Sequence, residues 1–357
     1  MLSRLEWEHR INTIGEELIG LRYRGKCYWS VGMVAALVGM MLSGGMAQAA
    51  GDGAAVAAQQ AQVTADEAAH MGAWHDFWQK LLNPPHAVPD DYTTTVKTGG
   101  EIERRYLAHG PHGVAVQTMK APKPMETYEI YYPSDMTESG ETYPAVMMVN
   151  GSGTLAKRYP ALFQHLASWG FIVIGNEDPA TGRGTSAEST AEKLLALNQD
   201  PDSIFYHRID VDRIGLSGHS QGGDGVFNAI TSQPHHALYR TAVVLSPTNE
   251  RTAAALRWTY DSTAVRTPIL LLAGMKVDSI SVADMKALYA KIPAPKVMAI
   301  RSGAEHGQML YIADGYVTAW LCWQLRGDET AAKAFVGDSP ELLQNGCYQD
   351  QKITGFD

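Results

Sequence analysis

From about Tyr128 onward, short apolar runs alternate with longer stretches whose apolar positions recur every three or four residues. The first pattern predicts buried strands and the second predicts helices. Strands are expected at "YEIYYP", at 143–151 ("YPAVMMVNG"), at 171–175 ("FIVIG"), at "RIGLSG", at 241–247 ("TAVVLSP"), at 268–274 ("PILLLAG") and at 296–303 ("KVMAIRSG"). Helices are expected at 158–170, at 185–198, after Ser220, at 281–292, and from Gln308 to about Arg326. The helix at 185–198 offers two capping boxes, Thr185 with Glu188 and Ser189 with Glu192. Nearly continuous apolar strands alternating with helices define an α/β fold: a mostly parallel central sheet with helices on both faces. Functional groups in such folds lie in the loops at the carboxyl ends of the strands. That rule is a filter for any candidate residue.

The chain ahead of this core has a different pattern. Arg22, Arg24 and Lys26 precede an uncharged apolar run from Val31 to Leu42, and Ala47-Gln48-Ala49 follows as an A-x-A-type cleavage site. The run is short for a bilayer span. Residues 1–49 therefore read as a secretory signal peptide, with an uncleaved anchor as the alternative. Residues 50–72, rich in Ala, Gln and Gly, read as a flexible linker. Residues 73–357 read as a single domain with an N-terminal extension and a C-terminal tail; "AWHDFWQKLL" is a short amphipathic helix in that extension, ended by Pro84-Pro85.

Composition narrows the partners. A hydrophobic fraction of 45% with 19% charged residues is that of a globular protein, and a formal charge of −9 argues against nucleic acid or an anionic membrane as partner. Signal cleavage would remove Cys27 and leave Cys322 and Cys347, and two cysteines in an exported chain predict one disulfide. The histidines show no metal-site spacing, and neither a dinucleotide fingerprint nor a P-loop is present, so no metal or cofactor is expected.

One segment carries a chemical signal. In "VDRIGLSGHSQGGDGVFNAI", Gly218-His219-Ser220-Gln221-Gly222 falls where a predicted strand turns into a predicted helix. G-x-S-x-G in that context is a nucleophile elbow: the serine sits on a sharp turn, and the glycines let strand and helix pack closely around it. A tightly packed glycine-rich helix start is the non-catalytic alternative. A nucleophilic serine needs a base and an acid, in the chain order Ser, acid, His. Only His235, His236 and His306 follow Ser220. The first two lie at the far end of the elbow helix. His306, in "SGAEHGQ", lies just past the last predicted strand and is the candidate base. Asp278, in the loop after "PILLLAG", is the candidate acid, ahead of Asp284 inside the next helix. The oxyanion donors are expected to be the backbone N–H of Gln221 and that of Ser152, with Gly153 second, in the loop Asn150-Gly151-Ser152-Gly153-Thr154.

From Tyr128 to Arg326 the chain resembles the α/β-hydrolase fold, and within it the secreted bacterial cutinase-like and polyester-hydrolase-like esterases, near the dienelactone-hydrolase-type group. "GHSQGG" is similar to their "GHSMGG", "VDSI" (277–280) to their acid loop, and "GAEHGQ" stands at their histidine loop. "VNGSGT" stands where they carry a Pro-Gly-aromatic oxyanion loop. Ser152 and Thr248 stand where those enzymes have aromatic residues, so the ring clamp for an aromatic polymer is missing. The resemblance implies an exported serine esterase working through an acyl-enzyme, a monomer without cofactor or stable membrane insertion, acting on a small or polymeric ester. The alternatives are a serine peptidase of the same fold and a non-catalytic binding protein.

Overall fold

The computed structural model describes residues 87–276 and 278–356. The expected signal peptide, linker and short helix at 73–82 lie outside the described residues. Nine strands form one sheet: β1 (Val114–Lys120), β2 (Thr127–Pro133), β3 (Tyr143–Val149), β4 (Ile172–Asn176), β5 (Ile209–His219), β6 (Tyr239–Leu245), β7 (Ile269–Gly274), β8 (Lys296–Arg301) and β9 (Tyr348–Thr354). Their order is β1-β2-β4-β3-β5-β6-β7-β8-β9. Neighbours from β4 to β8 pair in parallel, while β1, β2 and β9 run antiparallel to their neighbours. Among the described residues, the helices longer than five residues are α1 (Glu101–Leu107), α2 (Pro160–Ser168), α3 (Thr185–Gln199), α4 (Gln221–Thr231), α5 (Glu250–Ala255), α6 (Val282–Lys291) and α7 (Asp314–Arg326).

The two-residue period of the strands sorts the core into two layers. On β3, Ala145, Met147 and Val149 join one apolar cluster, and Val146 and Met148 join the other. β7 divides likewise, with Ile269, Leu271 and Ala273 on one face and Leu270 and Leu272 on the other. Helices α3, α4 and α6 close the first layer; α1, α2 and α7 close the second. Burial on both faces is why these strands are apolar throughout rather than alternating.

Four expectations are corrected. First, α3 begins without a side-chain cap: its N-cap is Gly184 at φ +75°, so neither capping box forms. Second, the helix expected from Gln308 to Arg326 is two elements, a 3₁₀ turn at His306–Leu310 and α7. The break leaves the Asp314 carboxylate to accept the Tyr92 hydroxyl (2.6 Å) and lie 2.6 Å from His165 Nδ1, all buried. Third, β1 and β9 were not expected. Both are edge strands whose outer positions face water, so neither shows an apolar run. Fourth, Cys322 and Cys347 do not form a disulfide; both are free thiols. Cys322 packs inside the second core layer, and burial pushes its thiol up to about 12. Cys347 packs beside Gly99.

The C-terminal tail needs no covalent link because it is held in other ways. β9 pairs with β8. The Arg301 guanidinium donates to the carbonyls of Cys347 (2.9 Å) and Lys97 (2.5 Å). The buried Glu103 carboxylate accepts from Asn345 Nδ2 and Tyr348 Oη, both at 2.8 Å. Adding a reductant is therefore expected to leave the melting temperature unchanged; a drop on reduction would show a bond between these cysteines.

Candidate active site

Ser220 stands between β5 and α4 at φ 58° and ψ −127°. A non-glycine residue in that region costs on the order of 1–3 kcal/mol, so the turn must be held by its surroundings. The Ser220 N–H donates to Leu245 O (2.8 Å), and Ser220 O accepts from the N–H groups of Gly223 (2.8 Å) and Asp224 (3.3 Å). The glycines make the turn possible. A Cβ on Gly218 would lie 2.3 Å from Gly222 O, and one on Gly222 would lie 2.0 Å from Val149 O and 2.6 Å from Asn150 O. Those obstacles are backbone and cannot swing aside. Gly222→Ala is accordingly expected to destabilise the protein by ~3 kcal/mol and to displace the loop after β3. Gly346→Ala, with open space around it, is the control for a thermal melt. Similar melts for the two variants would contradict the packing argument.

The sequence candidates converge. His306 opens the 3₁₀ turn after β8 and Asp278 lies in the loop after β7. His306 Nε2 is 2.9 Å from Ser220 Oγ, and His306 Nδ1 is 2.9 Å from Asp278 Oδ1. The carboxylate can only accept, so Nδ1 carries the proton and Nε2 is left to accept from the serine hydroxyl. Asp278 also receives the Ser246 hydroxyl (2.7 Å) and the Gly274 N–H (2.6 Å) on Oδ2, and the Ser279 N–H (2.6 Å) on Oδ1. Burial opposes its ionisation, but the His306 contact and these donors outweigh burial and hold its carboxyl below the usual range. The alternative acid, Asp284, sits in the first turn of α6 and accepts from Ser281 Oγ (2.8 Å) and Asn249 Nδ2 (3.2 Å). His235 pairs with Glu188 (2.5 Å), beyond the far end of α4.

The loop after β3 faces the elbow. A Cβ on Gly151 would sit 3.5 Å from Ser220 Cβ. Residues 151–154 form a tight turn closed by Thr154 N–H to Gly151 O (3.1 Å), with Gly153 at φ +67° and Ser152 exposed. Asn150 braces the approach: its amide donates to Asn176 O (2.6 Å) and Asp178 O (3.0 Å), and its Oδ1 accepts Tyr159 Oη (2.7 Å). Gln221 is the first residue of α4, where helix N–H groups have no intrahelical acceptor. Its side chain turns away and accepts Thr181 N–H (3.2 Å).

Sequence reasoning missed two contributors. His219 Nε2 donates to His306 O (2.8 Å), and burial pushes its imidazole down to about 3, so it is a neutral strut under the histidine loop. Its place inside the elbow was its only signal. Ser246, at φ 45°, contacts Asp278 from the end of β6, and no motif marks it.

The residues brought together all lie at the carboxyl ends of β3, β5, β6, β7 and β8. A hollow of about 660 Å³ lined by Arg213, Arg240 and Arg326 opens beside the amino-terminal halves of β5 and β6 and contains none of them. Among the described residues, no group of His, Cys, Asp and Glu is arranged to hold a metal ion, and no helix is long and apolar enough to cross a membrane.

A mostly parallel sheet, a serine elbow after β5 and a histidine loop after β8 are the architecture of an α/β-hydrolase. Residues 98–341 match the family described as PET hydrolase-like, and the chain belongs to it. It is similar to a cutinase, est2, of Thermobifida alba (27% identity over 50% of this chain and 56% of that protein). It is also similar to a bis(hydroxyethyl) terephthalate hydrolase of Streptomyces coelicolor (32% identity over 34% of this chain and 37% of that protein). A third relative is cutinase 2 of Thermobifida cellulosilytica (29% identity over 54% and 71%). The first two matches thus span about half and about a third of those relatives' lengths.

Proposed function

We propose that the protein is an exported serine hydrolase that cleaves carboxylic esters through an acyl-enzyme. The observation that carries this reading is the continuous pair of 2.9 Å hydrogen bonds from Ser220 through His306 to Asp278, on an elbow whose serine is held at φ 58°. Ser220 Oγ attacks the ester carbonyl carbon as its proton passes to His306 Nε2. The N–H groups of Gln221 and Ser152 receive the oxyanion. The tetrahedral adduct collapses, the C–O bond to the alcohol breaks, and the imidazolium returns the proton to the leaving oxygen. Water then repeats the sequence on the acyl-enzyme and releases the acid. Asp278 holds the Nδ1–H tautomer throughout and stabilises the transient imidazolium.

The relatives' names, cutinase and bis(hydroxyethyl) terephthalate hydrolase, support an ester as substrate. Ser152 is small and Thr248 is buried, which favours aliphatic or small acyl groups over an aromatic polymer. Export follows from the signal-like segment ending at Ala49, with one domain remaining after the linker. The test pairs a fluorophosphonate probe with p-nitrophenyl esters of increasing acyl length and a peptide anilide. The reading expects the label on Ser220, hydrolysis of the short esters and none of the anilide. An unlabelled serine, or faster anilide cleavage, would overturn it.

A further inference from the structure

Asp224 lies four residues past the nucleophile on α4 and is fully buried. Its carboxylate collects three donors: Thr248 N–H (3.0 Å), Thr248 Oγ1 (2.7 Å) and Trp258 Nε1 (2.8 Å). Among the described residues, no cation forms an ion pair with it. Burial pushes the carboxyl up to about 8 even though all three contacts favour the ionised form. A charged group is costly in such a place, and the Ser220–His306–Asp278 relay makes no direct contact with it.

Its partners lead back to the relay. Ser246-Pro247-Thr248 forms the turn that leaves β6, and it runs between α4 and the acid loop. On the acid side, Ser246 Oγ donates to Asp278 Oδ2 (2.7 Å), and Ser279 Oγ donates to the carbonyls of Ser246 (2.8 Å) and Pro247 (3.0 Å). On the nucleophile side, Pro247 packs near Gly223, where an added Cβ would lie 3.3 Å away, and Asp224 takes both Thr248 donors. Tyr260 Oη closes the turn from outside by donating to Thr248 O (2.7 Å). Ser246 keeps a left-handed backbone (φ 45°) that few non-glycine residues adopt, so the turn would relax without anchors at both ends.

We propose, on the ester-hydrolase reading, that Asp224 is a positioning residue that ties the Ser246–Thr248 turn to the nucleophile helix and so keeps the Ser246 hydroxyl on the catalytic acid. The chemistry of the site explains the residue type. Three donors converge on its two oxygens; the ionised form, which only accepts, satisfies all three, while burial favours the protonated form. An asparagine would turn at least one N–H toward another donor, and an alanine would leave the buried Thr248 N–H without a partner and Trp258 Nε1 without its acceptor.

The test uses Asp224→Asn together with Thr248→Val and Thr248→Ser. Valine keeps the shape of threonine and removes the hydroxyl donor; serine keeps that donor. With p-nitrophenyl acetate, Asp224→Asn is expected to lower kcat roughly ten- to a hundredfold with KM changed less than about twofold, as for a misplaced catalytic group. The rate of fluorophosphonate labelling should fall in proportion. Thr248→Val should lose kcat in the same sense, and Thr248→Ser should recover most of that loss. Circular dichroism and melting confirm folding, and the threonine pair decides the matter if Asp224→Asn does not fold. A folded Asp224→Asn with wild-type kcat overturns the proposal, as does equal loss from the valine and serine variants. A wild-type protein that neither hydrolyses the ester nor takes the label overturns the ester reading, and the tether with it.

Discussion

Replacing Ser220 by alanine is expected to abolish ester hydrolysis, with kcat falling by about 10⁶-fold, as when a triad nucleophile is removed. The fold should survive. The side-chain oxygen makes one hydrogen bond, to His306 Nε2. The backbone contacts that hold the turn, to Leu245, Gly223 and Asp224, do not involve it. Alanine keeps the Cβ, so the strain at φ 58° is unchanged. The measurement is turnover of p-nitrophenyl acetate beside a thermal melt and fluorophosphonate labelling. A variant that melts normally and keeps substantial turnover would place the chemistry elsewhere.

Asp278→Asn is expected to cost about 10⁴-fold in kcat with the protein still folded, as for other triads whose acid becomes an amide. Five donors meet this carboxylate: His306 Nδ1, Ser279 N and Ser279 Oγ on one oxygen, Ser246 Oγ and Gly274 N on the other. An amide has only one accepting oxygen. If its NH₂ faces His306, Nδ1 must give up its proton and Nε2 becomes a donor, unable to take the serine proton. Asp284→Asn, which touches neither His306 nor Ser220 through a hydrogen bond, should retain wild-type turnover. The reverse pattern would move the acid into α6. Stability carries a second signature. Burial alone would raise the Asp278 pKa, but its donors hold it below the unfolded value. Its contribution is therefore present above the ordinary carboxylate range and lost as pH falls through the folded value. Acid unfolding of the Asn variant should be shallower than that of the wild type.

The central sheet was legible because its strands are buried on both faces. Val146 and Met147 point to opposite layers and both are apolar, so β3 reads as one unbroken run. The edges were not legible. β9 places Tyr348 inside and lets Gln349, Asp350 and Gln351 face partly outward, a pattern that resembles a polar tail until β8 is present to pair with it. The disulfide expectation failed for the same reason. It assumed that a tail without apolar area needed a covalent link, whereas Arg301 and Glu103 hold it from positions distant in sequence.

The chain itself pointed to Ser220, His306 and Asp278, the residues of the proposed triad. Their chemistry depends on residue type, local turn geometry and order along an alternating α/β pattern, all of which are local or one-dimensional. The glycines at 218 and 222 belong to the same class, since a sharp strand-to-helix turn demands them wherever it occurs. Only the tertiary structure decided what supports those residues. His219 beneath the His306 carbonyl, Ser246 on Asp278 and Asp224 under Thr248 are contacts between segments separated by 87, 32 and 24 positions. A buried polar group is defined by the partner that satisfies it, and that partner exists only once the sheet has brought the loops together.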